Sequence, residues 1–140
     1  MLFRKPGWAL PNGHVVRSHM EASLCDELVA AHAGHLHGTP ESFSFEVTIG
    51  PRRHSLFVPS IVLADMRSAG RHIIVEPIDS LQPGGGVRRL VGFRQGHLAD
   101  YFVIVVARRV LHRRVPEAAY DLLVPLEDFH PLEEFLRGLR

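Results

Sequence analysis

The chain has 140 residues, 46% of them hydrophobic and 22% charged, a composition typical of one globular domain rather than of a disordered segment. Its net charge of +1 excludes a protein that coats nucleic acid through uniform basicity. No apolar run approaches the ~18 residues of a membrane span, and the first residues lack the apolar stretch of a signal peptide, so we expect a cytoplasmic protein without a membrane segment.

The first predicted element is a helix that begins near Ser18 and ends by Gly34. Apolar residues recur at every fourth position over Val16–Leu28, which is the spacing of one helix face. Ser18 precedes Glu21 by three positions, the arrangement of a capping box, in which the glutamate folds back on the serine amide.

Three strands are predicted next. Residues Phe43–Ile49 alternate between apolar and polar, and Ser55–Ala64 is largely apolar after the turn at Gly50. The third strand covers His72–Glu76 and is expected to end at Pro77, since proline cannot donate to a sheet ladder.

The second half of the chain begins with a glycine-rich break at Pro83–Gly86 and a predicted helix over Val87–His97. Tyr101–Ala107 is continuously apolar and rich in β-branched residues, as in a central strand covered on both faces. A short helix, a strand and a closing helix are predicted over Val115–Tyr120, Leu122–Pro125 and Pro131–Leu139. The order of elements predicts an α/β fold with a mixed central sheet flanked by helices.

Three short motifs lie on this predicted α-β-β-β-α-β order. They are Ser18-His-Met-Glu21 on the helix, Val58-Pro59-Ser60 on the second strand and Glu76-Pro77-Ile78 on the third. Their order and separation resemble the PD-(D/E)XK, or restriction-endonuclease-like, superfamily, whose core has the order αβββαβ. The resemblance covers about residues 17–107 of a single domain over 1–140, and leaves 108–140 as a C-terminal extension.

The resemblance implies a nuclease site in which carboxylates hold Mg²⁺ and a lysine stabilises developing charge. Ser60 stands where the family has its aspartate, and Ile78 stands where it has its lysine. We therefore expect Glu21, Ser60, Glu76 and Ile78 to be the remnant of a degenerate active site. The implied function is binding of nucleic acid, DNA rather than RNA, or of a nucleic-acid-processing protein, without cleavage and without a cofactor.

Two alternatives remain open. An active Mg²⁺-dependent endonuclease would use Glu21, Glu76 and Asp79, with Glu76 and Asp79 as metal ligands. A structural or assembly subunit would make no nucleic-acid contact, as the near-neutral charge also allows. A twofold homodimer is a further expectation, because this is the commonest oligomer.

Charge is unevenly distributed along the chain. Residues 86–114 contain seven arginines against one acidic residue, whereas residues 115–140 carry a net charge of −4. The arginines predicted to contact nucleic acid are Arg88, Arg89, Arg108, Arg109, Arg113 and Arg114. The alternative is that the last four pair with acidic residues of the C-terminal segment, such as Glu127 and Asp128.

Ten histidines and one cysteine raise the question of a metal site. His32, His35 and His37 lie close together in the sequence, but they follow the first helix into a predicted loop. We therefore interpret them as exposed loop residues. Cys25 falls on the apolar side of that helix and cannot by itself form a thiolate zinc site.

Overall fold

The computed structural model describes residues 7–81 and 86–139, so the predicted break at Pro83–Gly86 lies outside it except for Gly86. Within these ranges the helices are α1 (His19–Ala30), α2 (Gly86–Gly96) and α3 (His130–Gly138). The strands are β1 (Trp8–Ala9), β2 (Val15–Val16), β3 (His35–His37), β4 (Phe45–Gly50), β5 (Arg53–Phe57), β6 (Ile61–Ser68), β7 (Arg71–Ile78), β8 (Tyr101–Ala107) and β9 (Leu122–Pro125). Short 3-10 helices cover Arg109–Arg114 and Glu117–Ala119. No helix in the described ranges has the length and apolar character needed to cross a membrane.

The largest sheet has five strands in the order β3-β6-β7-β8-β9. Strand β6 runs antiparallel to both β3 and β7, whereas β8 runs parallel to both β7 and β9. This arrangement confirms the predicted α/β class with a mixed central sheet. Strands β1 and β2 form a separate hairpin, and β4 and β5 form another.

Helices cover both faces of the sheet. Successive residues of a strand point to opposite sides, so each strand contributes side chains to both covered faces. On one face, α1 and α3 pack against residues such as Ile73, Val75 and Ile104. On the other face, α2 packs against residues such as Ile74 and Val103. Strand β8 contributes buried residues to both clusters, which confirms that Tyr101–Ala107 is covered on both sides.

The predicted first strand does not belong to this sheet. Residues Phe45–Gly50 pair only with β5 in a separate hairpin, and β3, which was predicted to be a loop, occupies the position beside β6. The single strand predicted over Ser55–Ala64 is also wrong, because it divides into β5 and β6 around Val58-Pro59-Ser60. Proline lacks the amide hydrogen that a continuous ladder would need there.

One further boundary differs in a way that matters for the site. Strand β7 continues through Pro77 to Ile78, beyond the predicted end at Glu76. Pairing with β6 ends at Val75, so Pro77 lies past the antiparallel ladder. The C-terminal strand and helix are confirmed to within one residue at each end, and both are integral to the fold since β9 extends the sheet and α3 covers it.

A close approach between α2 and β4 makes Gly92 necessary. A Cβ atom at this position would lie 2.5 Å from the carbonyl oxygen of Thr48. We expect Gly92→Ala to lower the free energy of unfolding by roughly 1–3 kcal/mol in urea titrations, because backbone atoms would have to move apart. Gly96→Ala is the matched control, since a Cβ there meets nothing within 4 Å and the change should be neutral or slightly stabilising.

Asp121 ties the start of β9 to α2 and β8. Its carboxylate accepts hydrogen bonds from Arg94 Nη2 (2.9 Å) and the Val103 amide (2.8 Å), and Arg71 lies 3.5 Å away. Burial alone would raise the pKa of Asp121, but these hydrogen bonds and the two positive charges outweigh it and lower the pKa below its ordinary value.

We expect Asp121→Asn to destabilise the protein by roughly 2 kcal/mol at pH 7, because hydrogen bonds to a charged group are lost. A lowered pKa means that the ionised form stabilises the fold, so the contribution is complete above the ordinary aspartate pKa of about 3.9 and is lost as the pH falls through the lower folded-state value. Thermal melts between pH 2 and pH 7 test this, with exposed Asp128→Asn as control. If the melting temperatures of the wild type and Asp121→Asn differed by the same amount at every pH, ionised Asp121 would not be the source of the stabilisation.

Candidate functional site

The sequence-predicted remnant residues Ser60 and Glu76 do meet in the structure. Glu76 lies near the carboxyl end of β7 and is only 8% exposed. Its carboxylate accepts hydrogen bonds from the backbone amide of Ser60 and from the Ser60 hydroxyl, the latter at 3.0 Å. Ser60 therefore supplies two hydrogen-bond donors to the glutamate and no second carboxylate.

A cavity of about 350 Å³ adjoins this pair on the α2 side of the sheet. Its lining includes Ser60, Glu76, Ile78, Asp79 and Arg89. Ile78 is buried, whereas Asp79 is exposed at the end of the strand. The structure thus brings these five predicted residues to one cavity, with the buried side chain of Ile78 as an apolar part of its lining.

Glu21 does not join them. It lies on α1 with its carboxylate 2.8 Å from His37 Nδ1, on the sheet face opposite to α2. Glu76 alternates with Val75, which packs on the α1 face, and so points toward α2. The site predicted for an active endonuclease, with Glu21, Glu76 and Asp79 around Mg²⁺, is therefore not assembled, because the sheet separates Glu21 from the two other carboxylates.

The six predicted arginines fall into three groups. Arg89 is partly buried and lines the cavity. Arg109 is exposed but pairs within the chain: its guanidinium lies 3.5 Å from Asp128, and its backbone amide donates to Glu127 at 3.0 Å. Arg88, Arg108, Arg113 and Arg114 are exposed, and none of them makes an ion pair with another residue of the described ranges. The alternative of pairing with the acidic segment is thus confirmed for Arg109.

A second group of chemically active side chains lies on the α1 face. It consists of His14, Cys25, His35 and His37, called here the His/Cys cluster, and one ligand atom from each lies within 4.8 Å of all the others. Cys25 Sγ is 3.3 Å from His14 Nδ1 and 3.3 Å from His35 Nε2. His37 Nε2 is 3.1 Å from His14 Nδ1.

Three elements bring these side chains together. His35 and His37 lie on the same face of β3 because strand side chains alternate, and they pair with Leu63 and Ile61 on the face that α1 covers. Cys25 is fully buried on that helix. His14 comes from the hairpin of β1 and β2, directly before β2.

Outer hydrogen bonds fix the orientation of the cluster. Glu21 accepts from His37 Nδ1 at 2.8 Å, and the Ala33 carbonyl accepts from His35 Nδ1 at 2.9 Å. Because both Nδ1 atoms carry their protons outward, both Nε2 atoms face the centre of the cluster. A carboxylate or carbonyl partner on the distal nitrogen is the usual support of a metal-binding histidine.

Asn12 adds a partner to the thiol, since its side-chain amide donates to Cys25 Sγ at 3.6 Å. Burial raises the pKa of Cys25 and lowers the pKa of His35. The histidine is therefore favoured in its neutral form, which is the form that binds a metal, while the thiol must lose its proton when a metal binds.

The spacing of the donor atoms fits a single tetrahedral ion. Zinc binds histidine nitrogen at about 2.0–2.1 Å and cysteine sulfur at about 2.3 Å, so tetrahedral ligands lie about 3.3–3.6 Å apart. Three of the six distances between cluster atoms, 3.1–3.3 Å, are close to these values, and the others are at most 4.8 Å. One ion at the centre of the cluster would contact all four residues once the wider donor pairs draw in to the tetrahedral spacing.

The interpretation of the histidines as exposed loop residues is wrong for two of them. His35 is 7% exposed and the His37 side chain 8% exposed, and both lie in a strand.

The capping box is also only half formed: Ser18 Oγ accepts from the Glu21 amide at 3.0 Å, but the glutamate side chain contacts His37. The alternation of His35 and His37 in the sequence was a signal that both could lie on one strand face. That His14 and Cys25 join them depends on tertiary contacts, which the sequence does not display.

Comparison of the chain with known family models, curated proteins and solved structures gives no match.

Proposed function

We propose that this protein is a zinc-binding α/β domain whose ion is held by the His/Cys cluster. The observation that carries the proposal is the convergence of three imidazole nitrogens and one sulfur within 4.8 Å, with outer partners on two of the histidines. Four protein ligands fill a tetrahedral coordination shell, so the role of the ion is structural. This proposal replaces the expectation of a protein without a cofactor.

The donor set selects the metal. Nitrogen and thiolate ligands in a tetrahedral arrangement favour zinc, whereas Mg²⁺ and Ca²⁺ require oxygen ligands. Glu21 completes the charge balance: the zinc ion with the Cys25 thiolate carries one positive charge, and the buried carboxylate on His37 offsets it. This explains why a glutamate that is 4% exposed is stable on the inner side of α1.

The test is metal analysis of the purified full chain. We expect one zinc ion per chain, and with cobalt the visible bands of a tetrahedral site together with a thiolate charge-transfer band. Cys25→Ser should abolish the charge-transfer band, and His35→Ala should lower the affinity by at least tenfold. The matched control is exposed His54→Ala, which should bind zinc like the wild type. Absence of stoichiometric zinc after reconstitution would overturn the proposal.

A second candidate function is nucleic-acid binding by a nuclease-like domain that does not cleave. It is supported by the order β3-β6-β7-β8 with α1 before and α2 within it, which agrees with an αβββαβ core if β3 is the first strand. It is also supported by the exposed arginines that lack acidic partners among the described residues. The pair of Ser60 with Glu76 favours loss of cleavage, since the carboxylate is already engaged.

Affinity for duplex DNA and for RNA at several salt concentrations tests this candidate. We expect Arg113→Gln combined with Arg114→Gln to weaken binding and to reduce the salt slope by about two. The control is the double change of Arg53 and Arg67 to Gln, which removes the same charge from the exposed surface elsewhere. An equal loss of affinity in both double variants would contradict a specific nucleic-acid-binding surface at Arg113 and Arg114. Cleavage with Mg²⁺ that is lost on Glu76→Ala would contradict the candidate.

A further inference from the structure

The four ligands of the His/Cys cluster come from elements that are anchored to the central sheet to different degrees. Cys25 is on α1, and His35 and His37 are on β3, which pairs with the central sheet. His14 alone comes from the hairpin of residues 8–16, called here the N-terminal arm. We infer that the N-terminal arm is a metal-dependent latch: its docking depends on the ion, and His14 closes the coordination shell. This inference rests on the proposed zinc function.

The N-terminal arm has little else to hold it. Its two strands have two residues each, and isolated hairpins of this kind are marginal in water. Trp8 is 38% exposed and Val15 is 46% exposed, so much of their apolar surface is not buried against the domain. Among residues 8–16, Val16 at the junction with α1 is the one that is fully buried.

The contacts that the arm does make concentrate on the cluster. His14 approaches both Cys25 and His37, and Asn12 donates to Cys25 Sγ while its side-chain oxygen accepts from the His14 amide at 2.9 Å. Outside the cluster, the ring of Trp8 lies 5.4 Å from that of His19. A metal bond to His14 would therefore be the strongest single link between the arm and the domain.

Undocking of the arm would leave a site with different chemistry. Cys25, His35 and His37 would still hold the ion, and the fourth position would be open to a small ligand. Three protein ligands with one open position is the arrangement of zinc sites that bind water or substrate. The ion thus controls whether the arm is docked, and the arm controls the access of small ligands to the ion.

Hydrogen exchange of the full chain with one equivalent of zinc, and after treatment with a chelator, tests the latch. We expect amides of residues 8–16 to exchange at least tenfold faster without zinc and to lose nearly all of their protection, whereas amides of β7 and β8, which follow the global free energy of unfolding, stay protected even after that free energy falls. Equal protection of the arm in both states would overturn the inference. Amides of the arm that without zinc stay as protected as those of β7 and β8 would also overturn it, because the arm would then open only with the whole domain.

A second test uses a variant that cannot close the site. His14→Gly should still bind cobalt with its thiolate charge-transfer band, but with weaker affinity, and added imidazole should shift its visible bands toward those of the wild type. The wild-type site should not respond to imidazole, and His54→Gly serves as the control for loss of an exposed histidine. Failure of imidazole to alter the spectrum of a cobalt-loaded His14→Gly chain would contradict an open position.

The two tests separate this inference from the proposed function. If the wild-type chain binds no zinc, the proposed function fails and the latch fails with it. If zinc binds with one ion per chain but the arm is equally protected without it, only the latch fails. Since Cys25 is the single cysteine, its alkylation rate by iodoacetamide gives an independent measure of how well the arm covers the site.

Discussion

Removal of zinc is expected to lower the unfolding midpoint of the full chain by on the order of 15 °C. At free zinc about a thousand times the dissociation constant, binding to the folded state alone contributes about 4 kcal/mol. For a chain of this length, each kcal/mol corresponds to about 4 °C. Scanning calorimetry with zinc and with a chelator measures the shift.

Glu21→Gln and Cys25→Ser give graded controls for this effect. Loss of the outer carboxylate on His37 should weaken zinc binding by about 10–100-fold and so reduce the metal-dependent shift without abolishing it. Cys25→Ser should remove most of it, because the thiolate supplies the only negatively charged ligand. A wild-type midpoint that does not depend on the chelator would contradict a structural metal.

Introduction of a second carboxylate by Ser60→Asp is expected to destabilise the protein by roughly 3 kcal/mol at pH 7. The new carboxylate would lie against Glu76, which is nine-tenths buried, and two charges of the same sign cannot both ionise there without cost. The variant would also lose the hydroxyl that donates to Glu76. Urea denaturation at pH 7 gives the free energy of unfolding.

Ser60→Asn is the matched control, because it adds the same bulk without the charge. The difference in free energy of unfolding between Ser60→Asp and Ser60→Asn should become smaller at acid pH, where the carboxylates are protonated. Recovery of the Asp variant by Mg²⁺, without recovery of the Asn variant, would indicate that the pair of Ser60 and Glu76 occupies an ancestral metal position. Equal stability of both variants at pH 7 would show that the two side chains do not interact as described.

Prediction from the sequence was most successful where a segment has one strong pattern. The β-branched run Tyr101–Ala107 and the periodic helix beginning after Ser18 are found where they were expected. It was least successful for short segments, such as the three-residue β3, whose pattern is too brief to distinguish a strand from a loop. Pro59 and Pro77 were misjudged because the effect of a proline depends on whether the neighbouring strand pairs at that point.

The sequence by itself determined the α/β class and the central strands, because these depend on local periodicity. The meeting of Ser60 with Glu76 was expected only from the resemblance to a nuclease family, and the tertiary structure brings the two together. Only the tertiary structure decided that Glu21 serves His37 on one face while Glu76 faces α2 on the other. It also decided that His14 and Cys25 join His35 and His37. The physical reason is that a metal centre requires donor atoms within a few ångströms, and that distance is set by how a hairpin, a helix and an edge strand pack together.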